Sequence, residues 1–343
     1  MARTSTTVPR PPRARRRRRV LLVALAMLGV VVAGAVWGVG RYGPRFGVYL
    51  VPPSPQRYAD VALDLMAGGL TAQGPQWEAA RDAVREAAAT APDHAALHGV
   101  LADAVRAAGG SHSFLLSPEE VAAQQSPAGA AAAAVRTDGG ITTVTVPETV
   151  DGSGEQQYAD TLDDGIEAAA PSTCGWVVDL RGNTGGSMYP MLSGLTALLP
   201  EGPALGFRDR DGRTTGQVTV QPDGAGLDGR TSVRVGDRAR VAGPVAVLQD
   251  GRTASSGEVV LLAFRGLDHV ATFGEPSAGY ASANRSYRLY DGAVLVVTEG
   301  LDVDRDGVAP GEVPIPAGTA VPAADAPAAA AAWLATRGCA PQG

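Results

Sequence analysis

The 343-residue chain contains no lysine; its 29 basic residues are all arginine. No side-chain amine is available as a proton acceptor, and arginine cannot fill that role because its guanidinium stays protonated at any relevant pH. Cysteine is almost as scarce. Cys174 and Cys339 stand alone, with no C-x-x-C pair of the kind that holds a metal or serves redox exchange. Aromatic residues make up only 5% and histidines number 4, while apolar residues reach 45%, enough for a substantial core. No internal repeat of 20–50 residues is visible, which excludes solenoid and propeller arrays.

Acidic residues are missing from the N-terminal region. Eight arginines precede Val20, six of them within Arg13–Arg19, and Val20–Gly40 is an uncharged run of 21 residues. Such a run is long enough to cross a bilayer as a helix, which takes ~20 apolar residues. With the basic cluster upstream, the positive-inside rule places the N-terminus in the cytoplasm. We therefore expect a cell-membrane, single-pass topology: a basic tail over 1–19, an anchor over 20–40, and the rest extracytoplasmic. Ala33-Gly34-Ala35 resembles a signal-peptide cleavage site, but the length of the run favours a retained anchor. Beyond the anchor, 21 arginines face all 35 acids, a net charge of about −14. That balance argues against nucleic acid as a partner. An oxidising compartment also permits a Cys174–Cys339 disulfide, which the sequence leaves open.

Residues 41–54 read as a Pro/Gly-rich linker. Three amphipathic helices follow, over 56–68, 76–90 and 94–108, with apolar residues three and four apart and Gly109-Gly110 as the stop. They define a small helical subdomain over 55–120. A connector over 121–139 contains an alanine tract (128–134). From 140 to 343 strands and helices alternate. Strands are expected at Ile141–Val146, Trp176–Leu180, Val245–Leu248 and Val270–Phe273, helices at 155–169, 188–199, 256–265 and 325–336, and a hairpin over 285–298 around Asp291-Gly292. This alternation predicts an α/β core around a central sheet.

Two segments of that core carry chemistry. In Val247-Leu248-Gln249-Asp250-Gly251-Arg252-Thr253-Ala254-Ser255-Ser256-Gly257-Glu258 a buried strand passes through small residues into a helix. A serine there sits at a helix N-terminus, where free N–H groups favour developing negative charge. It could equally be a plain N-cap. In Trp176-Val177-Val178-Asp179-Leu180-Arg181-Gly182-Asn183-Thr184-Gly185-Gly186 a second buried strand ends in a loop whose glycines let backbone N–H groups approach a ligand.

Together, in this order, the segments resemble the C-terminal processing peptidases, a family that includes the tricorn protease core and the retinoid-binding repeats of photoreceptor matrix. Its D-L-R-x-N-x-G-G strand end, [ST]-A-S-x-x-E segment and G-E-P-[TS] strand end are matched here, the last by Gly274-Glu275-Pro276-Ser277. The resemblance spans roughly 109–315 and implies a crotonase-like αβ core. It makes Ser255 the nucleophile and the N–H groups of Gly186 and Ser256 the oxyanion hole. The processing branch activates its serine with a lysine shortly after G-E-P-T. Here that position holds Tyr280, in Gly279-Tyr280-Ala281-Ser282, so a Ser–Lys dyad is excluded.

The tricorn-like branch uses a histidine near the start of the core. Gly110-Ser111-His112-Ser113-Phe114-Leu115-Leu116-Ser117-Pro118-Glu119-Glu120 is similar to that block. It makes His112 the general base, a role suited to a near-neutral pKa. The resemblance implies an acid relayed through Ser111, and its E-x-x-G-[VI]-x-P block aligns Asp304, with Glu312 in reserve. The other histidines read differently. His94 and His98 stand four apart as a zinc pair could, but without H-E-x-x-H or a third ligand a solvated helix face is favoured. His269 reads as a surface residue. Asp302-x-Asp304-x-Asp306-Gly307 begins like a calcium loop, yet Val313 holds the twelfth position where a glutamate is needed, so a polar turn is preferred. Only about 20 residues separate Glu120 from Ile141, too few for a peptide-binding module there.

The expected function is a membrane-anchored serine peptidase acting on peptide or protein substrates, with no metal or organic cofactor. A ligand- or protein-binding ectodomain on the same scaffold, without catalysis, is the alternative.

Overall fold

Two short apolar runs, Gly175–Asp179 (β4) and Val245–Gln249 (β9), lie side by side in parallel register, Trp176 opposite Val245 and Val178 opposite Val247. Continuous apolar runs suit a sheet covered on both faces. In the computed structural model, which describes residues 13–124, 132–149 and 154–339, they form the centre of a six-stranded sheet. Val270–Gly274 (β10) and Thr319–Ala320 (β13) extend it on one side. Ile141–Thr145 (β3) and Ala134–Asp138 (β2) extend it on the other. All pairs are parallel except β2–β3.

Side chains alternate across this sheet. Val178 and Val247 pack with Leu162 and Ile166 of Glu155–Ala169 (α6) and with Val260 of Ser256–Phe264 (α8). Val177, Ala246 and Leu248 face the other way, onto Ala330 and Leu334 of Ala326–Thr336 (α9). Each fully buried Val or Leu contributes about 1.5–3 kcal/mol. A Cys174–Cys339 disulfide, with Cα atoms 5.2 Å apart, ties the end of α9 to the start of β4.

The α/β fold is as the sequence indicates, but there are two sheets where one was expected. The second is antiparallel and runs Phe114–Leu116 (β1), Val294–Asp304 (β12), Gly202–Arg208 (β5), Thr214–Gln221 (β6), Gly224–Leu227 (β7) and Arg230–Arg234 (β8). Ser282–Arg288 (β11) also pairs with β12, closing the expected hairpin through Asp291-Gly292. Strand β2 lies inside the stretch read as a connector. Residues 128–131 of the alanine tract and the tail before Arg13 lie outside the described residues.

The expected N-terminal helices form at Pro55–Met66 (α2), Gly74–Thr90 (α3) and His98–Gly109 (α4). Ser54 Oγ accepts the Arg57 N–H at 3.2 Å, and Pro55 occupies the first turn, so α2 starts on a paired cap. Leu63, Met66, Leu97, Leu101 and Val105 pack with Tyr287, Leu289, Leu295 and Val297 of the β11–β12 hairpin. The helices are therefore fixed to the second sheet. Residues 118–124 form a further short helix (α5), and 188–194 another (α7). Arg13–Tyr42 (α1) is helical, and within it begins a run, Val20–Phe46, long and apolar enough to cross a membrane; Gly43 and Pro44 of that run, past the helix, are buried, whereas residues 20–36 are exposed.

Candidate active site

The loops after β4 and β9 are stitched together before either presents a side chain. Asp179 and Arg181 form a bidentate pair, Nε to Oδ1 at 2.9 Å and Nη2 to Oδ2 at 2.7 Å. The Asp250 carboxylate accepts the Gly182 N–H at 3.0 Å and the Arg252 and Thr253 N–H groups of its own turn. Thr253 Oγ1 donates to Leu180 O at 2.9 Å, and Ala254 N donates to Asn183 O at 2.9 Å. The buried Asn183 side chain donates to Val146 O and accepts from Gly185 N. These contacts explain why the polar residues of both segments occur where they do.

Glycine is required at two places in the first loop. Gly185 has φ 115°, and a Cβ there would lie 2.9 Å from Ser255 Cβ. Gly186 has φ 101°, and a Cβ there would lie 2.0 Å from Thr149 O. Their bare backbone comes up against the Ser255 turn. Ser256 Oγ donates to Gly186 O at 2.5 Å and fixes that approach. Neither Gly186 N–H nor Ser256 N–H has a partner among the described residues.

Ser255 is the residue before α8, and its backbone is unusual: φ 52°, ψ −119°. A side chain in this region costs on the order of 1–3 kcal/mol and persists only where its surroundings impose it. Glu258 does so. Its fully buried carboxylate accepts four donors: Ser255 N (3.0 Å) and Tyr280 N (2.7 Å) on Oε2, Ser277 Oγ (2.5 Å) and Gly279 N (2.9 Å) on Oε1. Burial pushes this acid above its ordinary range, and the four donors act in the opposite direction.

The histidine approaches from the helical side. After α4 the chain turns through Gly110, with φ 91°, and enters β1, which pairs with β12. Between them, Glu312 gathers Ser111 and His112: Oε2 accepts Ser111 N at 2.9 Å and Ser111 Oγ at 3.0 Å, and Oε1 accepts His112 N at 3.3 Å. His112 Nδ1 lies 2.8 Å from the buried Ser282 Oγ, and its ring packs on Tyr280 with centroids 5.0 Å apart. Nε2 has no partner among the described residues, and no hydrogen bond joins it to Ser255. Burial lowers the His112 pKa, partly offset by Glu312.

Several expectations change here. Asp304 is not at the histidine. It closes the turn after β12, accepting Asp306 N at 3.1 Å and Val308 N at 2.9 Å, with Arg265 3.9 Å away. Strand β12 runs on through residue 304, and the chain returns to Ser111 only at Glu312. Asp302 is neither a calcium-loop ligand nor part of a polar turn. It lies in β12, fully buried, with both oxygens unpaired among the described residues, and burial beside Glu258 pushes it up to about 8. His98 is not on a solvated face: Nε2 lies 2.7 Å from Asp291 Oδ2, which sits in the hairpin turn. His94 stacks on Tyr58 at 4.5 Å. Among the described residues no cluster of His, Cys, Asp or Glu could hold a metal ion.

Ser282 was missed by the sequence reading. It stands in the segment singled out for its missing lysine, two residues past Tyr280, but nothing local marks it as the partner of a residue 170 positions away.

The sequence pattern of peptidase family S41 matches residues 140–314. A nisin-resistance protein of Lactococcus lactis subsp. lactis is 34% identical over 291 residues, 84% of this chain and 89% of that protein. The structure of a lipoprotein from Streptococcus agalactiae is 30% identical, covers 84% of this chain and 99% of its own, and superposes with a TM-score of 0.74. A photosystem II D1 C-terminal processing protease shares the fold at 13% identity, with a TM-score of 0.56 over 79% of this chain and 94% of its own.

Proposed function

The chain belongs to peptidase family S41, and from that premise we propose that it hydrolyses peptide bonds by acyl transfer, with Ser255 as nucleophile and His112 as general base. The observation that carries this reading is the left-handed backbone of Ser255, held by the buried Glu258 beside the N–H groups of Gly186 and Ser256, which are unpaired among the described residues. A capping serine needs no such conformation.

In this reading His112 donates Nδ1–H to Ser282 Oγ, which leaves Nε2 as the proton acceptor. Ser255 Oγ attacks the substrate carbonyl carbon and its proton passes to Nε2. The oxyanion accepts the N–H groups of Gly186 and Ser256. Collapse breaks the C–N bond, and His112 returns the proton to the leaving amine. Water then attacks the acyl-enzyme with His112 again as base, releasing the acid and restoring Ser255. Glu312 pins the Ser111–His112 backbone, while Tyr280, at the position of the processing branch's lysine, supports the imidazole.

We place this chemistry outside the cell membrane, on a domain anchored by α1. The relative named a nisin-resistance protein aligns over nearly its whole length, which makes nisin the first substrate to try. The test is labelling with a fluorophosphonate. The parent should gain one covalent adduct on Ser255, and Ser255→Ala none. Absence of an adduct on the folded parent would favour a binding ectodomain without catalysis.

A further inference from the structure

The stretch after α1, read from sequence as a linker, is docked on the folded domain. Gly43–Phe46 forms a single 3₁₀ turn, closed by Gly47 N to Pro44 O at 3.1 Å and Val48 N to Gly43 O at 2.9 Å. Gly47, with φ 68°, lies against Arg288 at the end of β11. The Tyr49 ring meets Tyr290 edge-on at 5.5 Å, Tyr290 meets His94, and His94 Nε2 bonds Pro53 O at 2.9 Å. The chain is thus held at both ends of 47–53 against the β11–β12 turn and the residues before α4.

This docking leaves apolar side chains in the open. Phe46 is 80% exposed and Val51 71%, and Val48 and Leu50 are about half exposed. These four side chains face solvent. They begin within a few residues of the end of the apolar helix. Arg41, Arg45 and Arg57 lie in this part of the chain, where no acid precedes Asp60, and Arg288 lies beside it, while Asp291 in the β11–β12 turn adds a negative charge near Tyr49. Of these four arginines, among the described residues, Arg41 is the one that pairs with an acid, Asp64, at 3.5 Å. Four exposed apolar side chains of an acidic domain thus lie where the anchor emerges, with Arg41 in the last turn of the helix and Arg45 just past it.

We propose that this face seats on the lipid bilayer itself: Phe46, Val48, Leu50 and Val51 enter the boundary between headgroups and acyl chains, and Arg45, Arg57 and Arg288 reach the phosphates. The inference rests on the reading of α1 as a membrane span. About 20 residues from Val20 fill the hydrocarbon, which puts Tyr42 and Phe46 at the interfacial level where aromatic side chains concentrate. Apolar side chains there gain what they would lose in water, and arginines beside them pair with phosphate. The domain then sits flat on the membrane in one orientation instead of swinging on a tether.

The test uses the full chain in phosphatidylcholine–phosphatidylglycerol vesicles, spin-labelled at single introduced cysteines: V30C in the span, F46C and V51C on the face, V308C in an exposed turn elsewhere. Collision with a water-soluble relaxation agent should be at least about threefold lower at 46 and 51 than at 308, with 30 more protected still. If 30 is protected while 46 and 51 are as accessible as 308, the anchor stands and the seated face is wrong. If 30 is as accessible as 308, the anchor reading itself fails and takes this inference with it.

Discussion

Ser255 and Tyr280 donate their backbone N–H groups to one oxygen, Oε2 of Glu258, at 3.0 and 2.7 Å. One buried carboxylate thereby sets the distance between the turn that carries the nucleophile and the segment that carries Tyr280 and Ser282 to the histidine. Substituting Glu258→Gln keeps the shape but sets an amide donor among four donors. Loss of a charged, buried acceptor should cost about 3 kcal/mol of stability. Fluorophosphonate labelling of the still-folded fraction should slow by more than tenfold, about 1.4 kcal/mol at the nucleophile. Thermal melts and labelling rates on the same sample check both.

Ser282 supports the imidazole only through Nδ1, so its loss should affect the chemical step and not substrate binding. Ser282→Ala is expected to lower kcat by about 10–100-fold with KM nearly unchanged. Ser282→Thr, which keeps the hydroxyl, should recover part of the rate. Wild-type kcat in the alanine variant would remove Ser282 from the proposed relay.

The pH profile follows from burial of the histidine. A general base acts when neutral, and His112 is shifted below the ordinary 6.5 of free imidazole, so the acidic limb of kcat/KM should fall below pH 6.5. Glu312 is the group that raises this pKa. In Glu312→Gln the limb should move further toward acid even as the rate falls from looser anchoring of Ser111 and His112. A limb that stayed in place would show that Glu312 exerts no field on the imidazole.

Asp302 gives a stability prediction of opposite sense to the usual carboxylate. Its folded pKa of about 8 lies above the 3.8 of a free aspartate. Between those limits the folded chain retains a proton that the unfolded chain has released, so rising pH removes stability, and the full penalty is reached above the folded value. Asp302→Asn cannot ionise. Its Tm relative to the parent should climb as the pH is raised from about 5 to about 9. A constant difference across that range would show that Asp302 is already ionised in the fold.

How far the sequence could be read depends on how local each cause is. β4 and β9 announce themselves because a strand covered on both faces must be apolar throughout. The antiparallel strands β5 to β8 do not: Thr214–Gln221 alternates polar and apolar side chains among glycines and reads as loop until its partners are known. The three N-terminal helices follow from their apolar spacing, but the side of α4 bearing His98 looks solvated because its partner, Asp291, is 193 residues away. The site divides likewise. Ser255, Gly186 and Ser256 lie in two continuous segments whose small residues have local reasons. The groups around His112 come from the turns after β10 and β12 and from the first residue of β11, and block alignment chose Asp304 where the fold delivers Glu312.

The backbone at Ser255 carries a wider consequence. Glycine would relax its left-handed turn, so Ser255→Gly should stabilise the fold by about 1 kcal/mol where the Glu258 clamp is unaltered, raising the melting temperature while abolishing acylation. A protein kept only to bind a ligand would drift toward that more comfortable residue. For any relative built on this scaffold, the amino acid at this single strained position therefore offers a thermodynamic hallmark of whether selection still demands a nucleophile.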